Sequence, residues 1–133
     1  MLAIIIPTRN RSHFLQKSLL YYARSGCPYP IYLQDASDEE QFRQTQHLIR
    51  ELNSSLNIIH QSCSKQIGTH ESVLNVLKQV QTPYSIFCGD DDFLVPSAIQ
   101  KCVDFLEKHP DYNLASGVGL WPMVKIASNG VFD

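Results

Sequence analysis

The hydrophobic period of this chain switches back and forth along its length, and that alternation limits the fold more than any other feature. Leu2–Ile6 is a continuous apolar run of strand length, the pattern of a strand covered on both faces. Residues 12–25 then place Leu15, Leu19 and Tyr22 at i, i+4 and i+7, which predicts a helix. Pro28–Leu33 returns to strand character. Ser37 with Glu40 three positions later forms a capping box and predicts a second helix, with Phe42, Thr45, Ile49 and Leu52 inward. Asn57–His60 predicts a short third strand. From Thr69, the residues Val73, Val76, Leu77 and Val80 give the clearest helical stripe in the chain. Tyr84–Cys88 predicts a fourth strand. Pro96 suits the first turn of a helix carrying Ile99, Cys102, Val103 and Leu106, which stops before His109-Pro110. Asn113–Val118 predicts a fifth strand.

Strand starts recur about every 25 residues with a helix between each pair. That is the order of an α/β domain, a mostly parallel sheet with helices on both faces. The 133 residues fit a single domain with a sizeable core. The last dozen residues carry no clear element, and the chain reads as cut short at its C-terminus.

Eleven basic against 13 acidic residues give a formal charge of -2, which offers no electrostatic ground for nucleic acid or an anionic membrane. No stretch approaches a membrane span, and the opening MLAIIIPTRNR lacks the charge order and cleavage site of a signal peptide. The four cysteines, Cys27, Cys63, Cys88 and Cys102, have neither paired nor zinc-type spacing. Cys88 and Cys102 fall inside apolar patterns and read as reduced, buried thiols, so a cytoplasmic setting is expected.

Ligands of open parallel sheets bind beyond the carboxyl ends of the strands. After the first strand comes Pro7-Thr8-Arg9-Asn10-Arg11, and after the second Gln34-Asp35-Ala36-Ser37. The third is followed by Gln61 through Gly68, including Lys65, and the fourth by Gly89-Asp90-Asp91-Asp92. Much of this has a plain structural reading. Thr8, Asn10 and Ser12 are candidate caps of the first helix, Ser37 caps the second, and Gly68 is a turn residue.

The three adjacent aspartates fit that reading poorly. Ile86-Phe87-Cys88 and Phe93-Leu94-Val95 hold them in place from both sides, so their mutual repulsion needs a counter-charge. Carboxylates fixed together suit a hard divalent cation, Mg2+ or Mn2+, which completes its shell with water and substrate phosphates. Arg9, Arg11 and Lys65 would complement such a phosphorylated partner. Neither GxGxxG nor GxxxxGK followed by Ser or Thr occurs, which argues against a classical dinucleotide binder or a P-loop NTPase.

IIIPTRNR, LQDAS and YSIFCGDDDFLVPSAI together resemble the family 2 glycosyltransferases, and the resemblance extends over residues 2–118. It implies the GT-A fold and an inverting, metal-assisted transfer of sugar from a nucleotide diphosphate-sugar, a UDP-sugar foremost, to an unidentified acceptor. By position, Pro7, Thr8, Arg9 and Asn10 would border the nucleotide. Asp35 matches the second acidic residue of the family's D-D-x-S element, close to the base, and Gly68 the glycine leading into the third helix. Asn75 matches the helix's usual Arg-Asn pair, with Leu74 in place of the arginine. Aligned on F-L-V-P, the family's D-x-D-D falls on Gly89 to Asp92. Asp91 then inherits the main metal position, Asp90 lies towards the ribose, and Asp92 helps the metal or caps the next helix. Gly89 and Gln34 each stand where the family has an acidic residue. The acceptor site and catalytic base belong to a second half beyond these residues, so the alternative is a non-catalytic nucleotide-sugar-binding or interaction module. A sheet edge near residues 113–133 could pair with a second copy.

Overall fold

The computed structural model describes residues 1–120. Four strands and four helices alternate: β1 (Leu2–Thr8), α1 (Ser12–Arg24), β2 (Ile31–Asp35), α2 (Glu39–Leu52), β3 (Ile58–Ser62), α3 (Thr69–Leu77), β4 (Tyr84–Phe87) and α4 (Pro96–Lys108). The strands form one parallel sheet in the order β3-β2-β1-β4. From β1 the chain winds outward through β2 to β3, then crosses back to place β4 on the other side of β1. The crevice above β1 and β4 is therefore the point where the winding reverses, the usual ligand position in sheets of this kind.

Register divides the side chains between the two faces. Ile4 lies opposite Ile31 and Ile86, Ile6 opposite Leu33, and Ile31 opposite Ile58. This face packs on Leu15, Leu19 and Tyr22 of α1, Leu48 of α2, and Ile99 and Val103 of α4 in one buried cluster. The other face carries Ala3 and Ile5, with Val76 of α3 buried beside the sheet. Beyond α3 that face is thinly covered, and Phe87 of β4 is 54% exposed.

Several sequence expectations need correction. β2 continues two residues past Leu33, because Gln34 and Asp35 pair in register with Pro7 and Thr8 on one side and Gln61 and Ser62 on the other. The polar ends of β1, β2 and β3 are thus strand, not loop. Pro30 has no N–H to give a ladder, and β2 begins after it. The cap of α2 is Asp38, whose carboxylate accepts from the Gln41 N–H at 3.3 Å, and Ser37 is engaged elsewhere. α3 ends at Leu77 with Ser72 and Val76 as its buried stripe, so Leu77 points outward. Cys102 is only half-buried.

No fifth strand forms over 113–118. Leu114 and Val118 are 78% and 92% exposed and lie against no strand among the described residues, and without a partner an extended segment leaves its backbone to water. Most of the C-terminal stretch that lacked a clear element lies outside the described residues. No helix among the described residues is long and apolar enough to cross a membrane.

Candidate functional site

The carboxyl ends of β1 and β4 meet at one hydrogen bond. Thr8, the last residue of β1, donates from Oγ1 to Asp90 Oδ2 at 2.7 Å across 82 positions of sequence. Both residues are buried. Thr8 therefore does not cap α1. That helix starts at Arg11 without a side-chain cap, and Arg11's carbonyl accepts from the Phe14 and Leu15 N–H groups.

Arg11 supplies the counter-charge that the aspartates require. Its Nη2 donates to Asp91 Oδ2 at 2.5 Å, and its guanidinium lies 4.4 Å over the Phe14 ring. Its Nε stands 3.0 Å from Asp90 Oδ1. That N–H is not aimed at the oxygen, so the contact is an ion pair without a hydrogen bond and leaves a buried donor unpartnered. Burial pushes the Asp90 carboxyl above its usual range, against the lowering by Thr8 and Arg11.

The acidic loop is also held from behind. The buried hydroxyl of Tyr22 accepts from the Leu94 N–H at 3.1 Å and lies 3.4 Å from Cys88 Sγ. Burial raises the Cys88 thiol to about 11, with a further push from the three aspartates, so it stays protonated at neutral pH. Asp92 does not cap α4, whose first flanking residue is Val95. Instead its Oδ2 lies 2.8 Å from where a Cβ on Gly89 would stand, with Asp91 Oδ1 3.2 Å from the same point. The two carboxylates converge over the glycine, in space a side chain at 89 would claim.

A cleft of about 410 Å³ opens here, lined by Pro7, Thr8, Arg9, Arg11, Gly89, Asp90 and Asp91 on the β1–β4 side. Its far wall is Gln34, Ala36, Cys63, Ile67, Gly68 and the first turn of α3. A Cβ on Gly68 would meet nothing within 4 Å, so bare backbone and the positive end of α3 face the cleft. Arg9 donates to the Lys65 carbonyl at 3.3 Å and ties the two walls together.

Four expected residues sit outside the wall, among them Asp92, whose carboxylate lies beside Gly89. Asp35 is fully buried beneath it, with Oδ2 3.0 Å from His60 Nε2 and Oδ1 accepting from the Ser37 N–H at 2.9 Å. Burial alone would raise its carboxyl, but these hydrogen bonds outweigh that and hold it below the usual range. Asn10, at φ 54, fastens the loop after β1 to α2 through Ser37 Oγ and the Asp38 N–H. Lys65 contributes its carbonyl. His60 as the partner of Asp35 is set by strand pairing, and Ser72 in the wall by the packing of α3, so neither leaves a mark in the local pattern of residues.

A nucleotide-sized cleft at the reversal point of a parallel sheet, edged with carboxylates and arginines, defines an α/β domain of the GT-A type. Residues 3–119 match the pattern of glycosyl transferase family 2, and the chain belongs to that family. No curated protein sequence matches it. Among solved structures, S. aureus TarS 1–349 superposes with a TM-score of 0.66 at 19% identity, covering 82% of this chain and 33% of TarS 1–349. The UDP-GlcNAc complex of the same protein gives a TM-score of 0.68 at 17% identity, covering 82% and 32%. Its UDP complex gives 0.63 at 18%, again covering 82% and 32%. This chain spans about a third of the length of that structure.

Proposed function

We propose that this chain is the donor-binding part of a metal-assisted, inverting glycosyltransferase that takes a nucleotide diphosphate-sugar, with a UDP-sugar as first choice. The observation that carries the reading is the Thr8–Asp90–Arg11–Asp91 network at the reversal point of the sheet. Family membership and the likeness to a fold that holds UDP-GlcNAc in TarS support it.

The residues present fit a divalent cation. Asp91 Oδ1 and Asp92 Oδ2 both lie close to Gly89, 3.2 and 2.8 Å from where its Cβ would stand, while Asp91 Oδ2 stays with Arg11. Two carboxylates, with phosphate and water completing the shell, is an ordinary donor set for Mg2+ or Mn2+. When bound there, the cation neutralises charge on the departing diphosphate. Thr8 orients Asp90 towards the ribose. Pro7, Arg9 and Gly68 border the nucleotide, and Gln34 and Ala36 form the wall nearest the base. Asp35 acts from beneath by fixing the backbone of that wall, and Asn10 by fixing the loop after β1. The Lys65 carbonyl holds Arg9 in place. Free thiols at all four cysteines fit a reducing, cytoplasmic setting within the same proposal.

Thermal unfolding with added nucleotides tests this reading. In Mn2+, UDP and one UDP-sugar of a panel raise Tm, because a ligand of the folded state alone stabilises it in proportion to the logarithm of its concentration over Kd. No shift with any nucleoside diphosphate or nucleotide sugar would remove the proposal. A larger shift with triphosphates would turn it into a nucleotidyl enzyme.

A further inference from the structure

Arg11 does more in this structure than balance charge. Its backbone is fixed by the start of α1, since its carbonyl takes the first two helical hydrogen bonds. Its guanidinium occupies one oxygen of Asp91 and lies beside one of Asp90. These are carboxylates on which the proposed cation and ribose depend. The Arg11–Asp91 pair is half in water, where such pairs contribute little, and Nε is left without an acceptor. The guanidinium is thus held loosely, at the rim of a cleft that it lines together with Arg9.

Resting on the proposed function, we infer that Arg11 is an internal counter-cation that exchanges partners. Before the metal arrives it neutralises the aspartates. A divalent cation on Asp91 and Asp92 brings two positive charges within a few ångströms of the guanidinium, and its hold on Asp91 weakens. The released fork has the geometry for bidentate contact with a phosphate and carries a donor already lacking an acceptor. Metal and diphosphate then favour each other's binding. By linkage the coupling is the same whichever binds first.

The sign of one measurement separates this from a merely structural bridge. Titration of Mn2+ alone, followed by electron paramagnetic resonance, compares wild type with Arg11→Gln. Exchange predicts that Mn2+ binds the variant more tightly, roughly two- to fivefold, since a competing cation has gone. A structural bridge predicts weaker binding, because the loop loses its anchor. Lys17→Gln removes an equal charge from α1, near the same Phe14 ring, without touching the aspartates, and shifts Mn2+ affinity less. Arg11→Gln also lowers the ratio by which Mn2+ strengthens UDP binding. In wild type, where no change of fold is at issue, the Arg11 Nε–H resonance moves saturably with Mg2+. Unchanged or weaker Mn2+ binding in the variant, or a resonance indifferent to Mg2+, overturns the exchange while leaving the proposed function intact. A wild type that binds UDP but no Mn2+ overturns both the exchange and the metal part of that function.

Discussion

Two aspartate sites stand at the carboxyl ends of the two strands that flank β1, and they are built in opposite ways. Asp35 ends β2, and both of its oxygens are taken, by His60 and by the Ser37 backbone, under the stacked ring of Phe42. Asp90 follows β4, satisfied by Thr8 and only loosely by Arg11, with Asp91 half in water beside it. The first carboxyl is held below its ordinary range and the second above it. A carboxylate that stabilises a fold is fully paired. One kept for a ligand stays incompletely paired and costs the unliganded fold something.

The largest effect falls on the paired site. His60→Ala leaves the buried Asp35 carboxylate short of a donor and costs about 3 kcal/mol of stability in urea unfolding, the upper end for depriving a buried acceptor of its hydrogen bond. The folded fraction should still bind UDP, because Asp35 lies outside the cleft wall. Loss of binding without loss of stability would reverse the assignment of the two sites.

Asp91→Ala is the converse. Its side chain is half exposed, so stability changes little. The account predicts loss of the metal's contribution to UDP affinity, about 1.5–3 kcal/mol for one charged contact, measured as Kd with and without Mn2+. Thr8→Val is smaller and mixed. It removes a buried donor to Asp90 at about 1–3 kcal/mol of stability and weakens UDP binding as Asp90 loses its orientation.

Asp90→Asn is the smallest and the most discriminating. At neutral pH the variant is as stable as wild type or better by up to about 1 kcal/mol, with UDP binding lost, the usual exchange of stability for function. Acidity sharpens the contrast. Asp35 contributes its stability above the unfolded-state pKa of about 3.9, and loses it as pH falls through its lower folded value. Asp90 does the reverse. The cost of its buried charge begins to disappear as pH falls through its raised folded pKa and is gone below the unfolded value. The advantage of Asp90→Asn therefore shrinks on acidification. A constant advantage between neutral and acid pH would contradict the raised carboxyl.

Much of this arrangement was legible in the sequence, and what was not has a common cause. Apolar period alone located β1, α1, β4 and α4, since burial on both faces of a sheet or along one stripe leaves a pattern in the residues themselves. It stopped β2 too early because Gln34 and Asp35 are polar, and only their register with Pro7 and Thr8 keeps them in the sheet. Ser37 and Asp38 both suit a helix cap, and the loop after β1 decides between them by drawing Ser37 to Asn10. The repulsion among Asp90, Asp91 and Asp92 correctly called for a counter-charge. That Arg11 answers it from 80 positions away is a fact of topology, which brings β1 beside β4. The stretch at 113–118 is apolar enough for a strand, but it lies against no strand among the described residues.

Calorimetric titration of UDP into the folded wild-type chain, with and without Mn2+, tests the central claim most directly. The account predicts binding that Mn2+ strengthens by about tenfold or more, the equivalent of one charge-assisted contact. Equal affinity in both conditions, or no binding by a chain whose unfolding remains cooperative, would contradict it.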